Sequence, residues 1–207
     1  MMVAKTERAH QSLSAQIKAR LVTKGYLALA TGALVASSGQ IDAPIARDPR
    51  HRKRMAVVAG GRESRTSYRV LEWFVPPQAR ITLRQAQGER MGVAAYGERI
   101  NSPLMVSLSN HRGDLVEPLT LVELYLDTGR THQVRVHLAY LGHPLVGDAL
   151  YGKRSPLLNR HFLHAHHLAF HHPVSGEVMD FQSDLPEDLA RVVERLRSAQ
   201  AEAVNAH

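Results

Sequence analysis

The sequence predicts an α+β fold for a single domain. Apolar residues at helical spacing lie near both ends of the chain, and alternating apolar and polar residues lie between them. The chain has 207 residues, of which 44% are hydrophobic and 22% are charged. A usual domain has roughly 100–200 residues, so one domain is expected and two small ones are the upper limit. This composition supplies enough apolar side chains for a packed core and excludes a wholly disordered chain.

Two segments have the spacing of amphipathic helices. Between Thr6 and Arg20 apolar residues recur every four positions, and Thr6 can cap the start of the helix. These apolar residues are Ala9, Leu13 and Ile17. A last helix is predicted from Pro186, because the apolar residues after it recur at helical spacing and form one face. That face consists of Leu189, Val192, Val193 and Leu196.

Four segments are predicted to be strands from their apolar runs or their alternation. They are Tyr26 to Val35, Thr66 to Phe74, Thr120 to Leu126, and a segment around Leu168 to Phe170. In the second of them, alternation predicts that Tyr68, Val70 and Phe74 share one face. The segment from Pro76 to Pro118 has no sustained period, and such a long loop is unusual inside a domain. We interpret it as an insertion between two strands that pair with each other.

Positive charge is concentrated in one turn-rich stretch between Ile41 and Arg65. The whole chain has 26 Lys and Arg residues against 19 Asp and Glu residues, a net charge of +7. The basic residues of the stretch are Arg47, Arg50, Arg52, Lys53, Arg54, Arg62 and Arg65. Three acidic residues, Asp42, Asp48 and Glu63, oppose these seven basic ones, whereas a merely solvated charged segment usually mixes its signs more evenly. The stretch is therefore predicted to contact a polyanion.

Composition also argues against several classes of protein. The chain has no cysteine, which excludes disulfides and thiolate metal sites and favours a cytoplasmic protein. No apolar run approaches the ~18 residues of a membrane helix. Gly147 to Arg154 is similar to a phosphate-binding loop, but Arg154 stands where a hydroxyl residue must follow the lysine, so no nucleotide cofactor is expected. The histidines between His161 and His172 are dense, yet chance clustering explains them and no metal is expected.

One motif and its continuation are highly specific. The segment reads Leu126-Asp127-Thr128-Gly129-Arg130-Thr131-His132-Gln133, then Gly142-His143-Pro144, Gly147-Asp148 and Tyr151-Gly152. It closely resembles the RluA-type family of RNA pseudouridine synthases. Shorter pieces agree in order, among them Lys24-Gly25-Tyr26 and Ile41-Asp42-Ala43-Pro44. The alternation of Val134 to Leu138 alone fits a strand or a helix, and the resemblance favours the helix.

The resemblance implies a mixed, mostly antiparallel central sheet flanked by helices, the catalytic fold of pseudouridine synthases, incomplete at its amino terminus. It implies isomerisation of uridine in structured RNA, ribosomal or transfer, by a monomer that needs no cofactor, metal or membrane. In the family an aspartate attacks the ribose of a flipped-out uridine or removes its C2′ proton. Arg130 matches the buried arginine that pairs with this aspartate, and Tyr26 matches the tyrosine that stacks on the base. The alternative to a catalytic role is that Arg130 is an ordinary surface arginine and Tyr26 a tyrosine packed in the core.

The basic residues of the turn-rich stretch, together with His132, are the predicted RNA contacts. The family's aspartate lies in a His-Arg-Leu-Asp segment just before the part matched by Met2 to Thr6, so this chain is expected to be inactive alone. Asp114 follows a similar His-Arg pair, but it lies in the insertion and out of order. Asp42 and Asp148 fit turn positions better than a catalytic role.

The expected organisation is a partial catalytic domain over residues 1–197, an insertion over 76–118 and a tail over 198–207. Two alternatives to the enzyme stay open: an RNA-binding module that performs no isomerisation, and the product of a decayed gene. An in-frame His-Arg-Leu-Asp segment upstream of Met1 would favour the enzyme, and stop codons there would favour decay.

Overall fold

A six-stranded antiparallel sheet forms the centre of the protein in the computed structural model, which describes residues 2–75 and 117–205. Its strands, in chain order, are β1 (Thr23–Thr31), β2 (Ser38–Asp42), β5 (Arg65–Phe74), β6 (Leu119–Leu126), β7 (Leu163–His171) and β8 (Val178–Gln182). Their spatial order is β2-β5-β6-β1-β7-β8. Strands β3 (Ile45–Arg47) and β4 (Met55–Val57) form a separate antiparallel pair. The predicted α+β class with an antiparallel central sheet is confirmed.

Among the described residues, three helices flank the sheet: α1 (Glu7–Lys18), α2 (Gln133–Tyr140) and α3 (Glu187–Asn205). Helix α1 begins as predicted, because the Thr6 hydroxyl accepts a hydrogen bond from the amide of Ala9 at 3.2 Å. Helix α2 confirms the helical interpretation of Val134 to Leu138. Helix α3 continues through residue 205, so most of the expected tail at 198–207 is helical. No helix among the described residues is long and apolar enough to cross a membrane.

The two faces of the sheet carry separate apolar clusters. The first contains Ala28, Leu124 and Leu138 and lies beneath α2, and the second contains Leu29, Leu121 and the apolar face of α3. Tyr68 and Val70 pack on the first cluster, but Phe74 lies in the second, so the predicted single face of β5 is wrong. A shift of register between Val70 and Glu72 is the cause, because one extra residue there moves the following side chains to the other face.

Several boundaries differ from the sequence prediction. Strand β1 ends at Thr31, four residues earlier than expected, because Gly32 adopts a positive φ of 79°. The turn-rich stretch contains the β3–β4 hairpin, which was not predicted. Strands β5 and β6 pair with each other as expected, with Phe74 opposite Leu119. Most of the predicted insertion between them, residues 76–116, lies outside the described residues, as does Asp114.

Candidate active site

Arg130 lies in the turn that connects β6 to α2. Its Nε donates a hydrogen bond to the backbone oxygen of Glu63 at 3.1 Å. Within the described part of the chain, no hydrogen-bond partner occupies its two terminal nitrogens. The side chain is partly buried, whereas the resemblance implied a buried arginine. A guanidinium held by one nitrogen leaves its other two free to grip a carboxylate or a phosphate.

Gln133 holds the Arg130 turn against β5, a role that the sequence did not reveal. Its side-chain oxygen accepts hydrogen bonds from the Thr128 hydroxyl at 2.8 Å and the Arg130 amide at 2.9 Å. Its side-chain nitrogen donates to the Arg65 backbone oxygen at 2.9 Å and the Thr66 hydroxyl at 3.0 Å. The residue is only 2% exposed. Every donor and acceptor of this buried amide is therefore used to position the turn.

We expect Gln133→Met to lower the free energy of unfolding by about 2–4 kcal/mol, because the Arg65 oxygen and the Arg130 amide lose their buried partner. Urea unfolding measures the loss, and the Arg130 amide signal in a ¹⁵N NMR spectrum should shift. Gln16→Met is the matched control, since Gln16 also bonds a backbone through both ends of its amide, at His171. Equal losses in the two variants would contradict the special role of Gln133.

Tyr26 packs in the core and also lines a cavity, and its stacking on a base stays a prediction. Its ring packs against the first apolar cluster, and it also lines a cavity of about 760 Å³. Burial raises the pKa of Tyr26, so the phenol stays protonated at neutral pH. The cavity is bounded by α1, β1, β7 and β8, and its walls include Lys24, Phe170 and Phe181. Arg130 does not line this cavity. Lys24 lines it and also lies against the turn that carries Arg130.

Lys24 is a site residue that the sequence motif contained without revealing its role. It lies on β1 two residues before Tyr26, and alternate residues of a strand share a face. Its Nζ lies 3.9 Å from the position that a Cβ on Gly129 would occupy. Lys24 therefore brings a positive charge against the turn that carries Arg130.

A hydrogen-bonded link fixes the β3–β4 hairpin to the same turn. The Tyr151 hydroxyl accepts a hydrogen bond from the Met55 amide at 2.9 Å and lies 2.9 Å from Nδ1 of His132. His132 adopts a left-handed backbone with φ 58° directly before α2. Burial, reinforced by the charge of Arg135, lowers the pKa of His132. A neutral ring held by Tyr151 is a weaker phosphate contact than the sequence prediction assumed, and its contact with RNA stays a prediction.

Tyr151 is in turn held by a buried ion pair. Arg135 makes a bidentate contact with Asp148, with distances of 2.7 and 2.8 Å, and its guanidinium lies 4.9 Å from the centre of the Tyr151 ring. The carboxylate of Asp148 also accepts hydrogen bonds from the amides of Leu150 and Tyr151. The prediction that Asp148 is a turn residue is confirmed, and its pairing with Arg135 was not foreseen.

Most of the predicted RNA contacts lie on the β3–β4 hairpin and its surroundings. Arg50, Arg52 and Lys53 are exposed at its tip. The Asp48 carboxylate orders this tip by accepting hydrogen bonds from the amides of Arg50 and His51. The others, which are Arg47, Arg54 and Arg62, lie along or beside the two strands and are exposed or partly exposed.

Arg65 is placed differently from the other basic residues. Its guanidinium contacts Asp42 at 3.2 Å and Glu63 at 3.3 Å. Hydrogen bonding to Asp42 raises the pKa of Arg65 and ties the residue to the sheet. Two carboxylates at this distance compete with a phosphate, so we expect Arg65 to contribute less to RNA binding than the hairpin tip. Asp42 is an ion-pair partner here, and the structure shows no backbone amide bonded to its carboxylate among the described residues.

The histidine-rich segment around β7 has structural partners. His167 contacts Asp180 at 3.1 Å, His164 lies 3.2 Å from the Ser183 oxygen, and His166 lies 3.3 Å from Glu123. Within residues 2–75 and 117–205, no three His, Cys, Asp or Glu side chains are arranged to hold a metal ion. His164 and His167 thus join β7 to β8 and its end, whereas His166 faces Glu123 on β6, which β1 separates from β7.

Comparison with known proteins identifies the family. The family model described as RNA pseudouridylate synthase matches residues 1–140. An uncharacterized RNA pseudouridine synthase of Bacillus subtilis, YlyB, is 37% identical over 198 residues, which are 95% of this chain and 52% of the relative. The ribosomal large subunit pseudouridine synthase D of Nitrosomonas europaea is 36% identical over 214 residues, which cover 99% of this chain and 50% of that protein.

The structural comparison agrees. The human RNA pseudouridylate synthase domain containing 1 has a TM-score of 0.61 and 26% identity, over 95% of this chain and 74% of that one. The chain spans about half the length of the two bacterial relatives. The motif around Arg130, the antiparallel sheet and these matches lead to one conclusion: the chain belongs to the RNA pseudouridylate synthase family.

Proposed function

We propose that this chain supplies the uridine-holding and RNA-gripping part of an RNA pseudouridine synthase that acts on structured ribosomal or transfer RNA. The observation that carries the proposal is the link from His132 through Tyr151 to Met55, with both distances at 2.9 Å. It attaches the basic hairpin to the turn that carries Arg130, so that a bound RNA strand and the reacting nucleotide are held by one rigid unit.

In this proposal the hairpin binds the phosphate backbone while a uridine turns out of the RNA into the cleft. Arg130 orients the aspartate that acts on the ribose, and the Tyr26 ring stacks on the base. The bond between N1 and C1′ breaks, the uracil turns, and a bond between C5 and C1′ forms. C5 loses its proton and N1 gains one, so the product is an isomer of the substrate.

We also propose that these 207 residues bind RNA without turnover. No aspartate of the chain follows a His-Arg-Leu sequence. Asp148 is tied to Arg135, and Asp42 to Arg65. These two carboxylates are therefore engaged in holding the fold.

Neutralising the hairpin tests the RNA contact. We expect the joint change of Arg52, Lys53 and Arg54 to Gln to weaken binding of a structured RNA and to flatten its salt dependence. Each lost phosphate contact should lower the log–log slope by about 0.7–0.9. Fluorescence anisotropy over a series of salt concentrations measures both quantities.

The matched control removes three arginines from α3, namely Arg191, Arg195 and Arg197, which are exposed on the opposite face of the sheet. The two triple variants have the same net charge. If both lower the slope equally, binding depends on net charge alone and the hairpin is not the RNA contact.

A further inference from the structure

Lys24 combines three properties that the fold alone does not require. It is partly buried, it lines the cavity of about 760 Å³ beside Tyr26, and its Nζ lies against Gly129. None of the ion pairs within the described residues involves Lys24, so no carboxylate there lies within 4.0 Å of its ammonium group. Partial burial makes the charge of Lys24 costly, and a bound anion would offset that cost.

The charges around Lys24 favour an anionic ligand. Burial lowers the pKa of Lys24, the charge of Asp127 opposes this change, and the charge of Arg130 reinforces it. Lys24 therefore feels the charge of the Arg130 cation as well as that of the Asp127 carboxylate. An anion bound to Lys24 would offset this unfavourable charge and accept a charge-assisted hydrogen bond from its ammonium group.

The rest of the cavity fits a nucleotide. The aromatic rings of Tyr26, Phe170 and Phe181 contribute to its walls, and Lys5 adds a second ammonium group. Aromatic side chains stack on unpaired bases, while ammonium groups bind phosphates. Its volume lies within the usual range of sites for small ligands, roughly 300–1,000 Å³.

We propose that Lys24, beside the turn that carries Arg130, forms a phosphate subsite that receives the backbone phosphate of the nucleotide entering the cavity. This inference rests on the proposed function, because that function makes RNA the ligand. Lys24 contributes binding here, and its part is distinct from the orientation of the aspartate by Arg130.

The test uses the full chain with uridine 5′-monophosphate and, in parallel, uridine, followed by NMR titration of the amide signals. We expect Lys24→Met to raise the Kd for the monophosphate about tenfold, since one charge-assisted contact is lost. Uridine, which has no phosphate, should bind both proteins alike. Lys18→Met is the matched control, because Lys18 is exposed at the last turn of α1, and it should leave both ligands unaffected.

Three outcomes would overturn the inference. The first is equal affinity for the monophosphate in Lys24→Met and Lys18→Met, and the second is a loss of uridine binding in Lys24→Met as large as its loss of monophosphate binding. The third is a loss of monophosphate binding in Lys24→Arg, which keeps the charge, as large as that in Lys24→Met. Should Lys24→Met fail to fold, the Nζ signal of Lys24 in the unaltered protein decides, since the monophosphate must shift it. If the unaltered chain binds neither structured RNA nor the monophosphate, the proposed function fails as well. If RNA binding depends on the hairpin but not on Lys24, only the phosphate subsite fails.

Discussion

Asp148→Ala is expected to lower the free energy of unfolding by about 3–5 kcal/mol, the usual loss when one partner of a buried ion pair is removed. The carboxylate of Asp148 is fully buried and the side chain of Arg135 is 13% exposed. Removing the carboxylate leaves the guanidinium of Arg135 without its bidentate partner, and the amides of Leu150 and Tyr151 lose an acceptor. Urea unfolding at neutral pH measures this loss.

The chain contains a matched control for this prediction. Asp188 makes a similar bidentate contact with Arg160, at 2.6 and 2.9 Å, but the two side chains are 51% and 42% exposed. Solvent and salt screen such a surface pair, so Asp188→Ala should cost far less than Asp148→Ala. Similar losses in the two variants would show that burial does not decide the strength of the Arg135 pair.

The dependence on pH follows from the pKa of Asp148. Burial alone would raise this pKa, but the hydrogen bonds from Arg135 and from the amides of Tyr151 and Leu150 outweigh it, and the net shift is downward. A carboxyl group with a lowered folded pKa stabilises the protein above its unfolded pKa of about 3.9 and loses that contribution as the pH falls through the folded value. The difference between the unaltered protein and Asp148→Ala should therefore be complete near pH 7 and shrink below about pH 4.

The predictable parts of the fold are those with a local signal. Helix α1 and strands β5 and β6 follow from local periodicity and apolar content, although β5 and β6 place apolar side chains in both clusters. The β3–β4 hairpin gives no such signal, since strands of three residues are too short to alternate. The extra residue of β5 near Leu71 is likewise invisible in sequence, because only pairing with β6 reveals it.

The site was predictable to the extent that its motif is contiguous. Arg130 and Tyr26 could be named from the motif and its family resemblance. Gln133 stands in the same motif, yet two of its four partners, Arg65 and Thr66, are nearly seventy residues away in the chain. The role of Lys24 also depends on the approach of β1 to the Gly129 turn, which is a property of the sheet.

Arg130→Ala is expected to lower the rate of pseudouridine formation at least about a hundredfold, because in the proposed mechanism the aspartate loses the partner that orients it. The measurement uses a chain extended before Met1 by a segment that carries the proposed catalytic aspartate. Single-turnover assays on a structured RNA at saturating protein separate this loss from any change in affinity.

Comparison of three variants decides the role of Arg130. Arg130→Lys should restore little, because an ammonium group cannot reproduce the planar grip of a guanidinium whose Nε is already held by Glu63. Arg195→Ala, an exposed arginine on α3, should leave the rate unchanged. The hairpin variant of Arg52, Lys53 and Arg54 should show the opposite pattern, with weaker RNA binding and a normal rate at saturation. If Arg130→Ala instead keeps its rate and loses salt-dependent affinity, Arg130 acts only as a phosphate contact, and the aspartate must be oriented by another group.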